Sequence, residues 1–139
     1  MNPRIKQMLT RMAIENPGVQ GRFKLAAGIV FRRHLIATGV NSYKTHPWMN
    51  EWGTNSDSIF LHAEIDAIKN SLKLINQSQL ERCSMYIVRV KRLSATDRYR
   101  WTYGLAKPCD GCMRAITNFN LKQVLWTDDE SKELDKQFL

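Results

Sequence analysis

The sequence predicts an α/β protein, a three-layer α/β/α sandwich whose mixed sheet of about five strands carries helices on both faces. Three observations carry that expectation. Apolar runs of strand length alternate along the chain with segments whose apolar residues recur at helical spacing. The chain has 139 residues, the size of one ordinary domain, and shows no internal repeat or Ser/Gly-rich linker, so residues 1–139 are read as a single domain. Hydrophobic residues make up 43% and charged residues 24%, which excludes collagen-like and low-complexity chains and suits a core that needs no disulfides.

The elements follow in order. In residues 4–15, Ile5, Met8, Leu9 and Met12 fall on one helical face, and Asn16-Pro17-Gly18 ends the helix. Residues 24–31 and 35–40 are apolar runs with Arg32 and Arg33 at the bend between them, an antiparallel pair of strands. The bend lacks the Asn-Gly signal that would fix its turn type. Residues 41–57, polar and studded with aromatics, read as a long loop. Residues 58–75 read as a helix with Ile65, Ile68, Leu72 and Ile75 inward and Asp66, Lys69 and Lys73 opposite. A buried strand is expected over 85–90. A helix over 108–119 opens on proline, the residue best tolerated at a first helical position. A short strand over 124–126 and a terminal helix over 130–138, with Leu134 and Phe138 inward, complete the order.

Residues 92–107 stand between the buried strand and the proline-led helix. Arg98, Arg100 and Thr102 alternate there with Tyr99, Trp101 and Tyr103, so a strand would separate a basic face from an aromatic one. With residues 94–97 as the turn, the segment folds back as a hairpin. Its aromatics either pack against the domain or stack bases while the arginines track phosphates; packing is the favoured reading.

The formal net charge is +8 and sits unevenly: residues 1–50 carry 8 basic and 1 acidic residues, and residues 86–123 carry 8 basic and 2 acidic. Such blocks point to phosphate-bearing partners without choosing between nucleotides and nucleic acid. No run approaches the roughly 18 apolar residues of a membrane helix, and residues 1–15 lack the apolar stretch of a secretory signal, so no membrane partner is expected. The three cysteines, Cys83, Cys109 and Cys112, are too few and too odd in number for a disulfide framework. A reducing, cytoplasmic location is expected.

Two short patterns carry the chemistry: His62-Ala63-Glu64 at one predicted helix start and Pro108-Cys109-Asp110-Gly111-Cys112 at another. Cys109 and Cys112, three residues apart, face the same way on a first helical turn. The positive end of the helix favours the thiolates that a metal needs. One histidine and two cysteines suit zinc and leave a fourth position for water, the arrangement of a catalytic site. Glu64, two residues after His62, stays near the metal without being a ligand, placed to take a proton from water and pass it to a leaving group.

H-A-E and P-C-x-x-C on two helix starts resemble the cytidine and deoxycytidylate deaminase superfamily, a pattern with a known mechanism. The resemblance extends over residues 23–127. His62 to Ile68 is similar to the deoxycytidylate deaminase helix, with Asp66 where asparagine is usual. Gly39-Val40-Asn41 looks like the segment whose asparagine helps hold the substrate. The resemblance implies a zinc ion on His62, Cys109 and Cys112, proton transfer by Glu64, and substrate contacts from Asn41 and the backbone around Ala63. It implies hydrolytic conversion of cytosine to uracil with release of ammonia, on a pyrimidine nucleotide such as deoxycytidylate. Relatives commonly assemble, so a homo-oligomer is expected. The stretch after Asn41 and the insert at 92–107 depart from the family pattern, and Lys44, Arg98 and Arg100 are the candidates there for phosphate or nucleic-acid contacts. Two alternatives stand beside this reading: a deaminase of cytosine or adenine within single-stranded DNA or RNA, including tRNA, and a non-catalytic zinc-stabilised binding module.

Overall fold

Asn2 starts the first helix, α1 (Pro3–Ile14): its side-chain oxygen accepts from the amides of Arg4 and Ile5 at 3.0 and 3.3 Å, and proline takes the first helical position. The computed structural model describes residues 1–17, 23–45, 47–52, 60–94, 97–128 and 136–138. After α1 come β1 (Phe23–Phe31), β2 (His34–Val40), β3 (Ser42–Thr45), α2 (Pro47–Trp52), β4 (Phe60–Leu61), α3 (Ala63–Ser71) and α4 (Gln77–Leu80). The chain continues through β5 (Ser84–Ser94), β6 (Asp97–Gly104), α5 (Asp110–Asn118), β7 (Gln123–Trp126) and β8 (Lys136–Phe138).

The main sheet runs β2-β1-β5-β7-β8, with β6 also paired to β5. β1 is antiparallel to β2 and β5, whereas β5 and β7 are parallel, so the sheet is mixed as expected. β1 occupies one edge of β5. On the other edge β5 pairs with β7 through Ser84 to Ile87 and with β6 from Arg89 onward. Thr127, fully buried, closes that change of partner. Its amide donates to Ile87 O at 3.1 Å, while its hydroxyl donates to Gly104 O at 2.9 Å and accepts from the Arg89 amide at 3.2 Å.

Period-two alternation gives each face its own core. Ala26, Val30, Tyr86, Val88 and Val90 pack with Ile5, Leu9 and Ala13 of α1. Ala27, Ile29, Met85, Ile87 and Val124 pack on the opposite face with Ala63, Ala67 and Ile68 of α3 and Ile116 of α5. The helices therefore cover both faces. The bend between β1 and β2 is a two-residue turn in which Arg32 takes a left-handed conformation with φ 58°, the strain that Asn-Gly would have relieved.

Four expectations need revision. The proline-led helix over 108–119 runs from Asp110 to Asn118 with Cys109 as its N-cap, so Pro108 precedes the helix rather than opening it. The loop over 41–57 contains β3 and α2, with β3 paired antiparallel to β4. The helix placed at 58–75 runs only from Ala63 to Ser71, because Phe60 and Leu61 are taken by β4 and His62 is still extended (φ −83°, ψ 150°). Leu72 and Ile75 nonetheless pack on the core from beyond the helix end. In the predicted terminal helix, residues 129–135, Leu134 among them, lie outside the described residues, and Lys136 to Phe138 form β8 against β7. Leu134 and Phe138 are four apart, a spacing that fits a strand as well as a helix. The open edge of β7 offers the hydrogen bonds that decide it. A short helix, α4, was not foreseen; Asn76 and Gln79 cap it reciprocally.

The hairpin expected from the insert is present, with β6 folded back on β5. Trp101 and Tyr103 pack against the α1 core, and Lys6 lies 4.7 Å from the centre of the Tyr103 ring. The Tyr103 hydroxyl lies 3.1 Å from the Thr10 hydroxyl.

Candidate active site

Two helix N-termini on the same face of the sheet, those of α3 and α5, build the site. His62 is the N-cap of α3 and Cys109 the N-cap of α5, both with extended backbone. The Cys109 sulfur accepts from the Cys112 amide at 3.5 Å, the geometry of a capping side chain with sulfur in place of oxygen. Cys112 sits in the first turn of α5, buried among Ile65, Leu61 and Ala115, while Cys109 is exposed.

The close approach of α3 to β2 positions the first of these termini. A Cβ on Gly39 would stand 2.3 Å from the Ala67 nitrogen and 2.6 Å from the Ala63 oxygen, so only glycine lets the helix backbone rest on the strand. Two side chains of α3 then bind the outer edge of β2. Asp66 accepts from the Val40 amide at 3.1 Å, and Asn70 donates to Thr38 O at 2.8 Å. Asp66 also pairs with Lys69 at 3.1 Å. A carboxylate oxygen serves the Val40 amide as an asparagine oxygen would, so the aspartate at this position keeps the contact.

The three expected ligands are brought together. His62 Nδ1 lies 3.3 Å from Cys112 Sγ and 3.6 Å from Cys109 Sγ, and the three ligand atoms all lie within 4.8 Å of one another. Tetrahedral zinc, with bonds of about 2.0 Å to nitrogen and 2.3 Å to sulfur, sets such ligands about 3.5 Å apart. The donor set is soft and borderline, which zinc prefers to the harder cations. The two cysteines are shifted in opposite directions: Cys109 is pulled down to about 4, first by the hydrogen bond from the Cys112 thiol, with His62 and the Cys112 amide assisting. Cys112 is pushed up, first by donating that bond and then by burial. A divalent cation takes the place of a thiol proton when it binds. His62, Cys109 and Cys112 thus fit a zinc ion.

Glu64 lies in the first turn of α3 and is 4% exposed. Burial pushes its carboxyl above the ordinary range, and the His62 imidazole beside it opposes that shift. A carboxyl that holds a proton readily, next to a metal cluster, is equipped for proton transfer.

Asn41 follows β2 directly. Its side-chain oxygen accepts from the Leu25 amide at 2.9 Å and from Asn16 Nδ2 at 3.2 Å. Ser42, the next residue, pairs with Leu61 across β3 and β4, and Leu61 immediately precedes His62. Ala63, buried, opens α3 between His62 and Glu64. Lys44 lies in β3 and Arg98 and Arg100 in β6, and their side chains lie outside those described. Trp48 stacks on Phe119 with ring centres 5.5 Å apart, a contact within the domain that ties α2 to the end of α5. Asn16 was read from the sequence only as a helix stop; nothing in its local pattern announces the contact with Asn41.

Three protein donors on paired helix N-termini, with a proton-carrying side chain that is not itself one of them, define the class: a metal-dependent hydrolase. The family described as the cytidine and deoxycytidylate deaminase zinc-binding region matches residues 3–127, and the chain belongs to it. It is a zinc-dependent deaminase by that membership. No curated protein sequence matches the chain. Among solved structures, the dCMP deaminase from the cyanophage S-TIM5, in apo form, shares the fold with a TM-score of 0.51 and 18% identity, over 92% of this chain and 86% of that one. No helix among the described residues is long and apolar enough to cross a membrane.

Proposed function

We propose that this protein deaminates a free pyrimidine deoxynucleotide, converting deoxycytidylate to deoxyuridylate with release of ammonia. His62, Cys109 and Cys112 would hold the zinc ion, which when bound would supply the Lewis acidity that makes water a nucleophile near neutral pH. Glu64 would pass one proton from the attacking water to N3 of the cytosine. It would then take the second proton from the hydroxyl added at C4 and give it to the amine, so that the C–N bond breaks with release of ammonia as the C4 carbonyl forms. Its burial keeps the proton within the site rather than exchanging it with solvent. The backbone at Ala63 and at the Cys109 turn directs polar groups at the reacting base, and Asn41, at the end of β2, holds the nucleoside.

The observation that carries the reaction type is the buried Glu64 carboxyl beside a cluster that has three donors among the described residues, whereas a purely structural zinc site would be closed by a fourth. The preference for a free nucleotide rests on motif likeness and on the insert. Trp101 and Tyr103, which a strand-binding enzyme would need as stacking platforms, are spent on packing against α1.

A panel of deoxycytidylate, cytidylate, cytidine, adenosine and single-stranded oligonucleotides, with ammonia and base products measured, tests the reading. Turnover of deoxycytidylate is expected. Turnover of oligonucleotides alone overturns the substrate assignment, and no turnover with zinc bound favours a binding module.

A further inference from the structure

The end of α1 reaches Asn41 at the end of β2. Asn16, two residues beyond α1, is 3% exposed, and its side-chain nitrogen donates to Asn41 O at 2.7 Å and to Asn41 Oδ1 at 3.2 Å. Leu25 fixes the sense of these contacts. Its backbone amide can only donate, so the Asn41 atom 2.9 Å away must be the carboxamide oxygen. The Asn16 atom facing that same oxygen must then be its nitrogen. Both carboxamides are locked in one orientation by a group that cannot change its role.

The lock resists rotation. Turning the Asn41 side chain would bring its NH2 against the Leu25 amide, donor to donor, and leave a buried Asn16 nitrogen short of a partner. Asn16 is itself anchored. Lys24 Nζ donates to Asn16 O at 3.0 Å and to Ile14 O at 3.2 Å, a lysine closing the carbonyl end of α1. The same ammonium lies 5.9 Å from the centre of the Trp101 ring in the insert hairpin, and Arg92 lies 5.6 Å from that centre on β5.

We propose that Asn16 is a positioning residue for Asn41, holding its carboxamide with the oxygen turned to Leu25 and Asn16, and that Lys24, braced by Trp101, holds Asn16. The inference rests on the reading of Asn41 as a nucleoside contact. It gives α1 and the insert a shared role: together they set the orientation of one side chain that neither of them carries.

The test is a double-variant cycle on the zinc-loaded protein with deoxycytidylate as substrate. kcat, KM, zinc content and thermal midpoint are measured for the wild type, Asn16→Ala, Asn41→Ala and the pair. Each single variant is expected to lower kcat/KM about tenfold, the effect of one misplaced hydrogen bond, chiefly through KM. The pair is expected to fall no further than Asn41→Ala alone, because Asn16 acts through Asn41. Zinc content stays at the wild-type level. Asn16→Ala within about twofold of wild type, or losses that multiply in the pair, overturns the proposal. If Asn16→Ala does not fold, Lys24→Met serves in its place: a KM increase that disappears in the Asn41→Ala background supports the proposal, and one that persists there, or no increase at all, sinks it. A wild-type protein that binds zinc but deaminates none of the panel instead overturns the deaminase reading, an outcome separate from an active wild type indifferent to Asn16.

Discussion

Replacing Gly39 by alanine perturbs the site at its foundation without removing a single polar group. The added carbon would meet three backbone atoms of α3, the Ala67 nitrogen at 2.3 Å, the Ala63 oxygen at 2.6 Å and the Asp66 carbonyl carbon at 2.8 Å. Backbone cannot swing aside as a long side chain can, so the helix must retreat by about 1 Å to restore ordinary contact distances. That retreat stretches the bonds that hold α3 to the edge of β2, Asp66 to the Val40 amide at 3.1 Å and Asn70 to Thr38 O at 2.8 Å. Overpacking of about 2 kcal/mol and the weakening of two hydrogen bonds, about 1 kcal/mol each when lost, give roughly 3–4 kcal/mol of destabilisation. At about 4 °C per kcal/mol for a domain of this size, the thermal midpoint should fall by roughly 12–16 °C. His62 caps the displaced helix and Glu64 lies in its first turn, while Cys109 and Cys112 stay on α5. A displacement near 1 Å between the two sets should lower turnover by about a hundredfold. Thermal unfolding, zinc content and deaminase assays of Gly39→Ala check this together. A variant with the midpoint and turnover of the wild type would show that α3 does not rest on β2 as described.

Further outcomes follow from the same geometry. Asp66→Asn, which keeps an oxygen for the Val40 amide and loses only the partly buried i,i+3 pair with Lys69, should leave stability within about 1 kcal/mol, whereas Asp66→Ala should cost about 1–2 kcal/mol by urea unfolding. Cys112→Ser should abolish zinc retention through dialysis, since a buried thiolate is the ligand hardest to replace with a hydroxyl. Chelation of the wild type should remove activity and lower the thermal midpoint, both restored by added zinc. Leu9→Ala, at a fully buried position of α1, should cost about 2–5 kcal/mol while leaving zinc content unchanged, because α1 covers the face of the sheet opposite the metal cluster.

The parts of the site legible in the sequence are those where chemistry forces both residue type and spacing. His62, Cys109 and Cys112 are of this kind: their spacing on two helix starts foretold that their ligand atoms would gather within 4.8 Å of one another, with Glu64 in the first turn of α3. The alternation of Trp101 and Tyr103 with basic residues likewise announced a hairpin with a packed aromatic face. Less legible was everything decided by partners distant in sequence. β4 is two residues long and exists through pairing with β3, so its apolar residues were absorbed into the neighbouring helix pattern. β8 owes its form to the open edge of β7, which its own four-residue spacing of apolar side chains cannot reveal. Asn16 read as a helix stop, which it is. Its hold on Asn41, 25 positions away, depends on a tertiary contact with no local signature.

Deamination of deoxycytidylate by zinc-loaded protein, run beside Glu64→Gln with zinc content verified in both, bears most directly on the central claim. The wild type should release ammonia and deoxyuridylate in equal amounts, and the variant should retain its zinc while losing about 10²–10⁴-fold in turnover, the range for removal of a proton-transfer group. Near-normal turnover by Glu64→Gln, or a zinc-loaded wild type that leaves the cytosine amine in place, would contradict the assignment of this site as a cytosine deaminase driven by Glu64.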